Sequence, residues 1–359
     1  MSDTFGIGVM EDHRVAEGIR VQAEHCRRNG APVTARIVEA QLALMQGNTQ
    51  CGQRIAHWPG LPLEDAMPLR LAGGFHHLLL TGTDSRLLPV YRGDIEAQTE
   101  VDAIVEAVTT EHDARLLPWL DGPPQTNEAG RSASFMAGLL WLSGRIGPRF
   151  ELNEIGASAG INTMMERYWY DLGGVKVGPE GSPMRITPEW RGPTPPANKV
   201  EIVGISGCDQ SPVDLAEHDA ALRVKSYVWP ENTGRLDRMD AAIMLASQQR
   251  PEVAKADALD WVVSRLAAPQ DAGVVRVFNH SIVWQYIPAQ RRDAITEAIE
   301  MQGRKATAER PLAWMILETN RETFKHELQV RYWPGPDEWH LLAEAQAHGA
   351  WVEWLENGN

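Results

Sequence analysis

The sequence predicts an α/β protein: a mostly parallel sheet with helices between its strands, preceded by a helical subdomain. Three observations carry this. Residues 10–120 read as one helix after another. From about residue 130, apolar runs of strand length alternate with helical periodicity. The last two strand-like runs follow one another without a long helix between them. Strands separated by helices imply parallel pairing through right-handed crossovers, and two strands joined without a crossover helix pair antiparallel.

In the first third, "RVAEGIRVQAEHCRRNG" stops at Gly30, a C-cap residue, and Pro32 opens "PVTARIVEAQLALMQG", which stops at Gly47. "DAMPLRLAGGFHHLLLTG" and "VDAIVEAVTTEHDARLLPWL" continue the helical spacing. Residues 1–124 are therefore expected to form a helical cap. Residues 125–359 are expected to form the sheet domain.

That domain opens with the helix "RSASFMAGLLWLSGRIG", with Phe135, Leu139, Leu142 and Ile146 along one face. The strand "RFELNEI" follows and runs into a glycine turn. Ile161, Met164, Met165, Tyr168 and Trp169 keep helical spacing, which predicts a helix directly after the turn, capped by Ser158. The Gly- and Pro-rich residues 170–198 predict a β-rich insertion. "KVEIVGI", "EVAKAD", "GVVRVFNHS" and "PLAWMILET" are strands, alternating with helices that include "ALDWVVSRLA" and "PAQRRDAITEAIEMQG". "ELQVRYWP" and "GAWVEWL" close the sheet. A parallel sheet with a reversed C-terminal strand is the layout of the Rossmann-like class I methyltransferase fold.

The 359 residues are 43% hydrophobic and 23% charged, a globular profile, and the net charge of −14 offers no broad basic surface for nucleic acid. No apolar run is long enough for a membrane span. Cys26, Cys51 and Cys208 are scattered and the start lacks a secretory pattern, so a cytoplasmic protein with free thiols is expected.

The candidate site is built around "NEIGASAGIN". Glu154, Gly156, Ala157, Ser158, Gly160 and Asn162 fit a turn that brings bare backbone and a helix start to a cofactor. Glycines occupy alternating positions, with Ser158 at the middle one. Asp209 follows the next strand, where a carboxylate accepts bonds from ribose hydroxyls. Asp257 and Ala258 follow the strand after that, the position where class I methyltransferases often have an acid near the adenine amino group. Each acid has an ordinary alternative as a loop carboxylate or helix cap, and Asp257 suits a cap. Asn279, a further cofactor-binding candidate, and His280 end the fourth strand. His280 and Tyr286 are the catalytic candidates, His280 either as a base or as a hydrogen-bonded structural histidine, and Trp284 is a pocket wall. Asn127, Glu128 and Arg131 are further substrate-pocket candidates, with Asn127 equally suited to cap a helix.

"QTNEAGRSA", "NEIGASAGIN", "GCDQSPVDL", "SYVWPE", "DALDW" and "HSIVWQYIP" together resemble the bacterial family called domain of unknown function 2332, over nearly the whole chain. The resemblance implies a fold similar to S-adenosylmethionine-dependent methyltransferases and a cofactor pocket, and leaves the substrate and oligomeric state open. The expected activity is methyl transfer from S-adenosylmethionine to a small molecule. The alternatives are a noncatalytic ligand-binding relative and, from the G-x-S-x-G pattern, a serine hydrolase using Ser158. A metal enzyme is disfavoured: HExxH is missing, and His76 and His77 diverge on a helix.

Overall fold

The structure, a computed structural model, describes residues 4–125 and 127–356, residues 4–13 by their backbone alone. In chain order the helices are α1 (Thr4–Arg28), α2 (Pro32–Glu39), α3 (Gln41–Leu44), α4 (Gln50–Ala56), α5 (Met67–Leu80), α6 (Leu88–Tyr91), α7 (Gln98–Leu116) and α8 (Ser132–Ile146). Strand β1 (Arg149–Ile155) follows, then β2 (Trp169–Leu172), β3 (Val175–Val177), β4 (Arg185–Ile186), β5 (Glu189–Arg191) and β6 (Glu201–Asp209). Next come α9 (His218–Ser226), α10 (Thr233–Gln248), β7 (Val253–Lys255), α11 (Ala258–Ala267), β8 (Val275–Ser281) and α12 (Ala289–Gly303). Strands β9 (Leu312–Thr319), β10 (His326–Trp333), β11 (His340–Ala345) and β12 (Trp351–Trp354) end the chain. No helix among the described residues is long and apolar enough to cross a membrane.

The chain divides into two compact units, Met1–Thr126 with His218–Asp237, and Asn127–Glu217 with Arg238–Asn359. The first is helical. Ile19, Ile37, Leu44, Ile55, Leu71, Phe75, Val101 and Val105 share one core, which is what stabilises amphipathic helices this short. The 218–237 excursion is pinned by polar bonds: Thr34 donates from its N–H and its hydroxyl to the Glu231 carboxylate at 2.8 and 2.7 Å.

The second unit holds a sheet of order β5-β12-β11-β10-β9-β8-β1-β6-β7. Within it β7, β6, β1, β8 and β9 are parallel neighbours. All seven residues of β8 are buried, as expected of a central parallel strand covered on both faces. Ile155, Phe278 and Trp314 point into a core made with Trp261 and Val262 of α11 and Ile295 and Ile299 of α12. The other face packs under α8, which lies against β9, β10 and β11. At the amino end, the buried Arg276 of β8 bonds to Glu151 Oε2 at 3.1 Å and donates to the carbonyls of Arg265, Ala268 and Pro269 at 2.8, 3.0 and 2.6 Å. One side chain thus ties β1, β8 and the end of α11.

Two expectations are corrected. The ending is a three-stranded antiparallel meander, β10-β11-β12, rather than a single reversed pair; β11 was missed because "HLLAEA" carries no strand-forming run of β-branched residues. No α-helix follows the glycine turn. Residues Asn162–Arg167 make a short 3₁₀ helix that leads into β2. The Tyr168 hydroxyl donates to the Ile161 carbonyl and the Tyr170 hydroxyl to the Met165 carbonyl. The same carbonyls also accept from the N–H groups of Met164 and Tyr168, at 3.2 and 3.3 Å, the i+3 pattern of a 3₁₀ turn. The β2-β3-β4 sheet makes up much of the insertion, while β5 joins the main sheet beside β12.

Candidate functional site

The site lies at the carboxyl ends of β1 and β8. Connections from β1 lead to β6 on one side, while β8 lies on the other, so the strand order reverses between them. Glu154 of β1 is in register with Asn279 of β8 and Gly207 of β6. Side chains of register partners share a face, so Glu154 and Asn279 project together. Asn162 joins them from the 3₁₀ turn.

All three are buried, Glu154 at 2% exposure. Glu154 Oε2, Asn279 Oδ1 and both Asn162 amide atoms have no hydrogen-bond partner in the protein. Buried polar atoms are nearly always paired, so a cluster of four unpaired ones needs a reason. Burial pushes the Glu154 carboxyl up to about 8, and Asp209 adds to this. Asn162 and Arg131 pull against it. Asn162 favours the charged form by proximity, but its geometry makes no hydrogen bond.

The glycine turn is real and differs in detail from its expected use. Gly156, Ser158 and Gly160 have φ of +72°, +52° and +70°, a left-handed conformation at every second residue. Ser158 caps no helix; its N–H donates to Asp209 Oδ2 at 2.9 Å. The space a side chain would need at the glycines is filled. A Cβ on Gly156 would sit 2.3 Å from Val283 Cγ2, and one on Gly160 2.7 Å from Pro251 Cγ. These glycines let protein pack against the turn. Ala157 is buried beside Gly207, and its N–H donates to the Cys208 carbonyl at 2.9 Å.

The acids converge around Cys208. Burial pushes this thiol up to about 12 against a bond from the Gly156 backbone, and Asp209, Glu154 and Asp257 each push it further. Asp209 is already engaged: its two oxygens accept from Ser158 N–H and Ser211 N–H, at 2.9 and 2.8 Å. Asp257 caps α11, accepting from Leu259 and Asp260 N–H at 3.0 and 3.3 Å, and pairs with Arg291 at 3.4 Å. Ala258 begins that helix. Ahead of α8, Asn127 Oδ1 accepts from Ile161 N–H at 2.8 Å, Glu128 pairs with Arg238 at 2.9 Å, and Arg131 donates to the Ala347 carbonyl at 2.9 Å. Asn127 thus braces the glycine turn from α8's side rather than capping a helix.

His280 does not project beside Glu154. Following Asn279 on the strand, it faces the opposite side of the sheet. There it stacks on Trp284 at 4.5 Å and 12°, with Trp314 at 6.0 Å and Trp339 packed on Trp314 at 5.0 Å. Its Nδ1 is 2.7 Å from Glu318 Oε1 at the end of β9. That same oxygen accepts from the N–H groups of Val283 and Trp284, at 3.1 and 3.3 Å. Burial works to raise the Glu318 carboxyl, but these bonds outweigh it and hold the pKa below the ordinary value. Tyr286 is 70% exposed and has no part in this cluster. Glu318 and Trp314 escaped the sequence reading, since both sit in an apolar strand whose register against β8 no pattern reveals.

A cleft of about 490 Å³ lies elsewhere, lined by residues including Glu151, Ser206, Glu252, Trp261 and Arg265, none of them a sequence candidate. Among the described residues, Asp84, Glu111 and His112 have metal-like spacing, but Arg86 bridges Asp84 and Glu111. No curated protein and no solved structure matches the chain. A family model described as "Uncharacterized protein conserved in bacteria (DUF2332)" matches residues 16–354, and the chain belongs to that family.

Proposed function

We propose that the sheet unit binds S-adenosylmethionine beside the glycine turn and passes its methyl group to a small-molecule acceptor. The observation that carries this is the buried, unpartnered set of Glu154 Oε2, Asn162 Oδ1 and Nδ2, and Asn279 Oδ1, gathered where the strand order reverses. Ligands of open parallel sheets bind outside the carboxyl ends of the strands at such a point. The set holds three acceptors and one amide donor, matching an amino acid's ammonium and carboxylate. The order of the five parallel strands is that of class I methyltransferase sheets, and an acid stands at or just past the carboxyl end of each of the first three, β1, β6 and β7.

Glu154, Asn162 and Asn279 would hold the amino-acid end, with Asp209 and Asp257 toward the nucleoside. When bound, the cofactor supplies a methyl group already activated on a sulfonium. What this chain must provide is binding, orientation and exclusion of water. The hydrolase reading lacks its base: among the described residues no histidine hydrogen-bonds to the Ser158 hydroxyl.

Calorimetry with S-adenosylhomocysteine tests the proposal. Saturable binding that weakens at least about tenfold in Asn279→Ala supports it, since one charge-assisted bond is worth about 1.5–3 kcal/mol. A folded wild type that binds none refutes it. Labelling of Ser158 by a fluorophosphonate would transfer the case to hydrolysis. Binding without methyl transfer to any offered acceptor would leave a noncatalytic relative.

A further inference from the structure

The Glu318–His280 pair carries more than a structural role explains. Glu318 Oε1 accepts from two backbone N–H groups and lies 2.7 Å from His280 Nδ1. A carboxylate only accepts, so Nδ1 carries the proton and donates. In the neutral ring the lone pair is then on Nε2. That atom is buried, in a residue 1% exposed, and has no partner. The Trp314 ring is tilted against the imidazole at 6.0 Å, and its indole Nε1–H is also buried and unpartnered, in a residue 3% exposed. An acceptor and a donor, each without a partner, thus belong to two neighbouring rings of one aromatic cluster that includes Trp284 and Trp339.

A hydroxyl group fills both needs at once, donating to His280 Nε2 and accepting from Trp314 Nε1–H. The ring is covered by one short segment. Half-buried Trp284 lies flat on it within a three-residue 3₁₀ turn, Trp284–Tyr286. The turn is entered through Ile282 at φ +51°, a conformation a β-branched residue adopts only under strain. Val283, next along, is the residue packed against Gly156. One short segment therefore touches both the histidine cage and the glycine turn.

We infer that this cage binds a phenol, with its hydroxyl held between His280 Nε2 and Trp314 Nε1. The cage lies on the face of the sheet opposite Glu154 and stands independently of the methyl-transfer reading. His280 is the binding residue, and Glu318, which fixes the tautomer, is the positioning one.

The test is calorimetry of the full chain with 4-methylphenol, with toluene as the matched ring lacking a hydroxyl. Wild type should bind 4-methylphenol saturably and at least about tenfold more tightly than toluene. Trp314→Phe keeps an aromatic, though smaller, ring at this position, removes the N–H, and should erase most of that preference. Nitrogen chemical shifts of His280 should show the Nδ1–H tautomer in wild type and a mixture in Glu318→Ala. Equal affinity for phenol and toluene, or an unchanged preference in Trp314→Phe, overturns the inference. S-adenosylhomocysteine titrated into the same samples separates the two readings. Phenol binding without it leaves this site standing and removes the methyl donor, and the reverse removes this site alone.

Discussion

Replacing Glu154 with glutamine should stabilise the ligand-free protein by an amount that grows with pH. Burial raises the carboxyl from its ordinary 4.5 to about 8 in the fold, so folding favours the protonated form. The unfolded chain releases that proton near 4.5. Stability is therefore fully present below pH 4.5, and it is lost as pH rises through 8. At pH 7 the loss is about 3 kcal/mol, from roughly 2.5 pH units at 1.36 kcal/mol each. It levels off at about 5 kcal/mol above pH 8. Glutamine keeps the size and neutrality of the protonated acid and carries no such loss. Urea unfolding at pH 5, 6, 7 and 8 should show wild type falling relative to Glu154→Gln across the series. By size scaling, the pH 7 difference corresponds to about 6–12 °C in Tm. Two parallel curves would refute the reasoning, because they would mean that Glu154 is ionised at no cost and its surroundings are not those described.

Three further outcomes follow from the same geometry. Arg276→Met leaves Glu151 without one of its two cations and three carbonyls without their donor, so equilibrium unfolding should show a loss of about 3–5 kcal/mol. Gly156→Ala should cost about 2–4 kcal/mol from its positive φ and its overlap with Val283; Val283→Ala in the same chain should recover part, leaving about 1–2 kcal/mol of backbone strain. Asp257→Ala should cost about 1 kcal/mol of thermal stability as a lost helix cap, while Asp209→Ala, which frees the Ser158 and Ser211 N–H groups, should cost more and speed amide exchange at Ser158.

Much of the alternation was legible because periodicity is local. The β8 run "VRVFNHS" and the Asp257 cap could be read from spacing and side-chain chemistry alone. The 3₁₀ turn could not: Ile161, Met164, Met165, Tyr168 and Trp169 are all buried as a helix face would be. Its i+3 backbone bonds and the two tyrosine hydroxyls that join them at the same carbonyls are invisible to a hydrophobic pattern. The site divides the same way. Glu154, Asn162 and Asn279 were nominated from a turn motif and strand ends, and the structure gathers them. His280 was assigned to the same rim, yet it points through the sheet to Glu318, because neighbouring residues on a strand face opposite sides. Finding Glu318 required the β8–β9 register, which pairs His280 with Ile316 and Ser281 with Leu317. Register is set by tertiary packing, so no single strand announces it.

The most direct test of the central claim is the proton balance of S-adenosylhomocysteine binding. A cationic amino group docking beside Glu154 converts a mostly protonated acid into a carboxylate, so at pH 7 binding should release about 0.9 proton. Calorimetry in buffers of different ionisation enthalpy measures this, and Glu154→Gln should abolish the release. No binding to folded wild type, or binding whose heat is the same in every buffer, would contradict it.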